Sequence, residues 1–218
     1  MHPLTPEWYK PRPDLLKMDP ITEKIGVGIS GIKIIENWIS QEDIEIAIKI
    51  ISQYKINNNA THSYPIHVLD DYKETPDDLA FARRMGNKMV QMASSLYSEP
   101  ITLDKKFLYV VHPTGTYIDP HTDILDIHDN DYENESLDAQ SKRFPYLWSG
   151  HCSVLAYLND DYEGGELYFP DLDFGIKPKK GMLIAFPGNL HYVHGVAPIT
   201  SGTRYTLSQW CKFDNFGN

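Results

Sequence analysis

The 218-residue chain carries a formal net charge of -10, with 41% hydrophobic and 23% charged residues, the balance of a soluble globular protein with ample material for a core. That charge argues against nucleic acid as the principal partner, because phosphate binding relies on clustered Lys and Arg. No apolar run approaches the about 20 residues of a membrane helix, and no internal repeat or low-complexity tract interrupts the sequence.

The first twenty residues carry five prolines and read as an extended arm. They lack the apolar centre of a signal peptide, so a cytoplasmic address is expected. GIKIIENW, 31 to 38, is a candidate strand. Ser40 and Asp43 then form an S-x-x-D capping box, with Ile39 and Ile44 spaced as a hydrophobic staple, which decides for a helix through IEIAIKII. A second helix starts at Thr75, with Pro76 at its first position and Asp77 and Asp78 at the positive end of its dipole. Leu79, Ala82, Met85, Met89, Met92, Ala93 and Leu96 make its apolar face, and this methionine stripe reads as core.

From residue 106 the texture changes to short β-rich runs: FLYVV, HCSVLAYL, ELYF, FGIKP, MLIAF, YVHGV and RYTLSQWCKF. Turn residues such as Asp160, Asp161, Gly164, Gly165, Pro187, Gly188 and Gly202 separate them, the pattern of a β-sandwich or small barrel. Cys152 and Cys211 fall inside these runs and are too few for a disulfide framework, so they read as reduced packing residues. The expectation is one domain over 1–218, mainly β with packed helices (α+β). Residues 1–105 form an arm, a strand and a helical buttress, and 106–213 form the β core. The acidic stretch 124–150 is the exception. Loops longer than about 12–15 residues are usually functional or disordered, and its position directly after His121 and Asp123 favours a lid.

In YIDPHTD, 117 to 123, His121 and Asp123 are two apart, so in a strand both side chains point to one face. Further on, YVHGV, a turn around PITSG, and TRYTLSQW read as a hairpin turning near Thr200. His194 would then face Thr206, Val196 would face Arg204, and Ser208 and Trp210 would continue that face, with His191 on the opposite one. An arginine aimed into a β core is costly unless it meets an anion, and its planar fork suits a carboxylate. His121, Asp123 and His194 supply two imidazoles and one carboxylate, the facial set that leaves open positions on Fe(II). Taken singly, His112, His128, His151 and His191 read as ordinary histidines.

The stretches PHTD, SVLAYLND, EGGELYFP, KPKKGMLIAFPG and HGVAPITSGTRYTLSQW resemble the Fe(II)- and 2-oxoglutarate-dependent oxygenases, in particular their prolyl 4-hydroxylase-like branch. The resemblance covers roughly 106–213 and implies a double-stranded β-helix, a jelly roll of the cupin kind. It implies His121, Asp123 and His194 as iron ligands and Arg204 as the residue meeting the distal carboxylate of 2-oxoglutarate. Tyr157 and Thr206 would assist Arg204, and Trp210 would lie near co-substrate or substrate. Tyr109 and Tyr117 are the available counterparts of tyrosines that relatives carry just upstream of the H-x-D, with His112 near one such position. Gly164 and Gly165 resemble a structural turn. The implied reaction hydroxylates an unactivated C–H bond, foremost of a prolyl residue in a peptide or protein, as dioxygen and 2-oxoglutarate give succinate and CO2, with ascorbate as supporting reductant. Other substrates on the same scaffold, and a non-catalytic cupin-like module, are the competing readings. A zinc version of that module would need a fourth ligand from His191, His151 or a cysteine.

Overall fold

In the computed structural model, which describes residues 2–10, 28–53, 66–68, 75–123 and 151–214, Ser40 opens helix α1 (Gln41–Ser52) by accepting a hydrogen bond from the Asp43 backbone N–H at 3.1 Å. The Asp43 carboxylate turns away from the cap to meet Arg84 Nη1 at 2.7 Å and Lys88 Nζ at 3.1 Å. Both cations lie on helix α2 (Pro76–Leu96), which carries the full capping box between Thr75 and Asp78. The expected lid over 124–150, with His128, lies outside the described residues.

Burial pushes the Asp43 carboxyl up, but Arg84 and Lys88 outweigh it and hold its pKa below the ordinary value. The linked stability is therefore present above about pH 4 and lost as pH falls through the lowered value. Asp43→Asn is expected to destabilise the fold by about 1 kcal/mol at pH 7, modest because both partners are half exposed. Thermal unfolding at pH 7 and below pH 4 checks this: an undiminished difference in acid would show that the ion pairs do not join the helices.

Ile44, Ala47, Ile50 and Ile51 of α1 and Phe81, Ala82, Met85, Met89 and Ala93 of α2 pack on one face of a β-sheet, so the methionine stripe is core. The strands are β1 (Lys33–Ile35), β2 (Ile66–Val68), β3 (Ile101–Pro113), β4 (Ile118–His121), β5 (His151–Tyr157), β6 (Glu163–Gly164), β7 (Leu167–Phe169), β8 (Phe174–Ile176), β9 (Leu183–Pro187), β10 (His194–Val196), β11 (Ile199–Ser201) and β12 (Thr203–Phe213). They form an antiparallel six-stranded sheet in the order β1-β9-β5-β12-β3-β2 and a four-stranded sheet in the order β4-β10-β7-β8. The short pair β11-β6 makes a third sheet. This is a jelly roll with helices on the outer face of its larger sheet. Among the described residues no helix is long and apolar enough to cross a membrane.

Period-two alternation sorts the large sheet. Val111, Val154, Ala156, Leu183, Ala185, Leu207, Cys152, Cys211 and Phe213 face the helices. Tyr157, Ile184 and Phe186 face the small sheet, where they meet Leu167, Phe169, Ile176 and Val196. The polar side chains of Arg204, Thr206 and Ser208 share that inner face and are buried.

The expected hairpin between 194–196 and 203–213 does not form. β10 pairs with β4 and β7, whereas β12 pairs with β3 and β5, so His194 and Arg204 belong to different sheets. Between them the chain changes sheets through β11, which pairs with β6. Pro198 has no N–H to continue a ladder, and its carbonyl approaches Gly164 so closely that a Cβ there would lie 2.0 Å from the oxygen. Both residues still face inward, but from opposite walls. His191, expected on an opposite strand face, instead sits buried in a 3-10 turn, Leu190–Tyr192, where strand parity does not apply.

Candidate metal and carboxylate site

His121 ends β4 and His194 begins β10, and the two are directly opposed across that antiparallel ladder, with ring centroids 4.4 Å apart. The ladder is irregular between His194 and Val196, as a bulge that re-aims a side chain would make it. Asp123 follows two residues after His121. One ligand atom from each of the three lies within 4.8 Å of the others. His121 Nε2 is 3.5 Å from Asp123 Oδ1, and His194 Nε2 is 3.5 Å from Asp123 Oδ2.

Backbone carbonyls set the tautomers. His121 Nδ1 lies 2.8 Å from the Asp119 oxygen and His194 Nδ1 lies 3.0 Å from the Tyr192 oxygen. A carbonyl only accepts, so each Nδ1 carries the proton and each Nε2 turns toward the carboxylate. Ser153 on β5 donates from Oγ to Asp123 Oδ2. Phe169 and Phe186 wall the His194 ring, at 5.9 and 4.6 Å between centroids.

The charges match this geometry. Burial would raise the Asp123 carboxyl, but His194, His121 and Ser153 outweigh it and hold it well below the usual carboxylate range. Burial lowers His194 to about 4, with Asp123 opposing. Burial also pulls His121 down, yet its contacts to Asp123 more than reverse the shift and raise it. An ionised carboxylate, a neutral imidazole and an imidazole whose proton a cation can displace form a donor set for a divalent metal. Two nitrogens and one oxygen on one side leave positions open, as non-haem Fe(II) requires. The fourth protein ligand of a structural zinc site is missing from the cluster among the described residues, and Cys152 and Cys211 face the helices.

The second centre lies on β12. Arg204 is 2% exposed, and no carboxylate pairs with it among the described residues. Its Nη1 meets His112 Nδ1 at 2.9 Å, and Nη2 donates to Tyr157 Oη at 3.3 Å, while Nε has no partner among the described residues. Tyr157 accepts from the arginine and so keeps its own O–H for another acceptor. Burial raises the Tyr157 phenol, with Arg204 opposing, and it stays protonated. Thr206 lies opposite Tyr157 in the β12–β5 register and is buried. Tyr162 is buried near the same guanidinium, pushed up to about 12 by burial against the arginine's charge. A buried cation ringed only by neutral groups is costly unless an anion joins it, and a carboxylate fits that fork.

Trp210 lies inward, partly buried, opposite Ser153. Tyr109 is not brought to either centre. It pairs with Leu207 on the helix side of the sheet and stacks on Phe81 at 6.3 Å, because odd-numbered residues of this part of β3 point outward while His112 points in. Tyr117 is partly buried just before β4. His112, Ser153, Tyr162, Phe169 and Phe186 were not singled out as site residues from sequence. Extending the parity of Arg204 across the β12–β3 ladder would have found His112.

Gly165 holds the arginine's stem. Its φ is +70°, and a Cβ would come within 2.5 Å of Ile199 Cδ1, 2.9 Å of Tyr162 Cε2 and 3.3 Å of Arg204 Cδ. Gly165→Ala is expected to destabilise the fold by about 2 kcal/mol through strain and overpacking. It should also weaken carboxylate binding at Arg204 several-fold while leaving metal affinity unchanged. Parallel titrations with metal and with 2-oxoglutarate check this, and equal loss of both would mean a general collapse.

The model of the 2OG-Fe(II) oxygenase superfamily matches residues 107–212. Prolyl 3-hydroxylase 2 of Homo sapiens is 40% identical over 67 residues, 28% of this chain and 10% of that protein. Prolyl 3-hydroxylase 3 of Homo sapiens is 38% identical over 63 residues, 27% of this chain and 9% of that protein. The chain thus spans about a tenth of the curated relatives it matches. Among solved structures, a Trichoplax adhaerens prolyl hydroxylase in complex with a hypoxia inducible factor oxygen degradation domain peptide fragment superposes with TM-score 0.57 at 17% identity, covering 93% of this chain and 90% of that one. A Pseudomonas putida prolyl-4-hydroxylase gives TM-score 0.55 at 16% identity, covering 89% and 98%. These superpositions establish the jelly-roll fold. The matched segment runs from β3 to β12 and contains every residue of both centres, and over that segment the chain is similar to the 2OG-Fe(II) oxygenase superfamily.

Proposed function

We propose that the chain is a Fe(II)- and 2-oxoglutarate-dependent hydroxylase acting on a prolyl residue of a peptide or protein. One observation carries the co-substrate: a fully buried arginine with no carboxylate partner among the described residues, in the same jelly-roll interior as a two-histidine, one-carboxylate cluster. A metal-binding module has no use for such a cation. 2-Oxoglutarate has a keto acid end that chelates metal and a distal carboxylate for the arginine.

His121, Asp123 and His194 would hold Fe(II) by Nε2, a carboxylate oxygen and Nε2. Ser153 keeps one Asp123 oxygen occupied and so orients the other. Phe169 and Phe186 keep water from the inner side of His194. Arg204 and Tyr157 would bind the far carboxylate and fix the keto acid's direction. Bound iron supplies the oxygen chemistry, for which 2-oxoglutarate gives two electrons on conversion to succinate and CO2, and ascorbate serves as supporting reductant. The prolyl assignment rests on the relatives, which are named as prolyl hydroxylases.

The test is succinate release with Fe(II) and 2-oxoglutarate, with and without proline-containing peptides, and mass spectrometry of the peptides. Peptide-stimulated succinate with one oxygen added at proline is expected, and fragmentation and NMR of the product give the ring position. Turnover stimulated only by proline-free or small-molecule substrates would overturn the prolyl assignment. No 2-oxoglutarate binding by folded, iron-loaded protein would overturn the oxygenase reading itself.

A further inference from the structure

We infer that His112 is a positioning residue for the co-substrate: a neutral acceptor that orients the Arg204 guanidinium without neutralising it, and so sets the preference for a 2-oxo acid bearing a second carboxylate. The inference rests on the reading of Arg204 as the carboxylate anchor.

His112 and Arg204 are directly opposed in the β3–β12 register, both inward, and 1% and 2% exposed. The 2.9 Å contact runs from Nη1 to His112 Nδ1. An arginine nitrogen only donates, so Nδ1 is the acceptor, and the ring proton sits on Nε2. That nitrogen is buried without a partner among the described residues. Burial first, and then the arginine's charge, push the His112 pKa well below the ordinary imidazole value, so the ring stays neutral and the contact persists through the physiological range.

The choice of partner has consequences for binding. A guanidinium must be held by something if it is to present a fixed fork. A carboxylate would hold it well, but would also cancel the charge that a ligand's carboxylate needs. His112 and Tyr157 hold the two Nη groups through neutral acceptors, which leaves the full positive charge and the unpartnered Nε available. An apolar residue opposite Arg204 would preserve the charge but release the fork.

The measurement is the ratio of affinities for 2-oxoglutarate and 2-oxobutyrate, which lacks the distal carboxylate, by anaerobic titration of the Fe(II)-loaded protein. Three variants separate the possibilities, because Asn carries an acceptor near the position of Nδ1 and Asp is its charged isostere. His112→Asn should retain the ratio within about threefold. His112→Leu should lower it about tenfold, and His112→Asp about a hundredfold or more, through loss of 2-oxoglutarate affinity alone. A mere packing role would move both ligands together. An unchanged ratio in His112→Leu, or an equal fall in His112→Asn and His112→Asp, overturns the inference. Arg204→Leu in the same series separates the two levels: if it too leaves the ratio unchanged, the anchor reading has failed, not only the role of His112.

Discussion

His121→Ala is expected to abolish the visible charge-transfer band that Fe(II) and 2-oxoglutarate form together on the protein, and to lower turnover at least about a hundredfold, some 3 kcal/mol of transition-state stabilisation. The reason lies in the small number of donors. The cluster offers three ligand atoms, and each imidazole is locked by its Nδ1 bond to a backbone carbonyl, at Asp119 and at Tyr192. Removing one would leave a two-point site for a metal that must also offer positions to co-substrate and dioxygen. Ser153→Ala serves as the graded control. It keeps all three ligands but frees the second Asp123 oxygen, and a loss of about 10–100-fold in metal affinity is expected from such a supporting contact. Anaerobic absorption titration checks both. A normal band in His121→Ala would remove this cluster as the iron site.

Much of this centre was legible in the chain because strand parity is a local rule. His121 and Asp123 are two apart, Arg204 and Thr206 are two apart, and Ser40 and Thr75 announce their helices by the residues that follow. What the sequence could not show is which strand lies beside which. The register of YVHGV against TRYTLSQW looked like a hairpin since both segments alternate and a turn lies between them. The jelly roll instead sends the first into the small sheet and the second into the large one. That crossover depends on the Gly164–Pro198 approach and the β11–β6 pairing, which are contacts between residues more than thirty positions apart. The same gap explains Tyr109 and His112. Without the β3–β12 register, nothing in FLYVVH says which residues share the interior with Arg204.

The site also puts function and stability in opposition. The inner face of the large sheet buries Arg204, His112, Thr206 and Ser208 where apolar residues would pack at no electrostatic penalty. Helices α1 and α2 cover the outer face with an almost wholly apolar layer, where Met85, Met89 and Ala93 meet Val111, Val154 and Leu207. One face of the sheet supplies the stability that lets the other hold a buried polar cluster.

Arg204→Leu makes that opposition measurable. Its affinity for 2-oxoglutarate is expected to fall on the order of a hundredfold, about 2.7 kcal/mol, because the distal carboxylate would enter a buried pocket with Tyr157 as its remaining donor among the contacts of Arg204. Fe(II) affinity should be unchanged. Without co-substrate the variant should be at least as stable as the parent, since exchanging an uncompensated buried cation for an apolar side chain is neutral or favourable. 2-Oxoglutarate should then raise the melting temperature of the parent but not of the variant. Arg204→Lys should fall between them, because an ammonium keeps the charge but cannot reach His112 and Tyr157 with one planar fork. Calorimetric titration and thermal unfolding with and without 2-oxoglutarate read all three effects. A Leu variant several kcal/mol less stable than the parent would mean that the guanidinium is held by a protein carboxylate after all, and that the anion it serves is part of the fold and not a co-substrate.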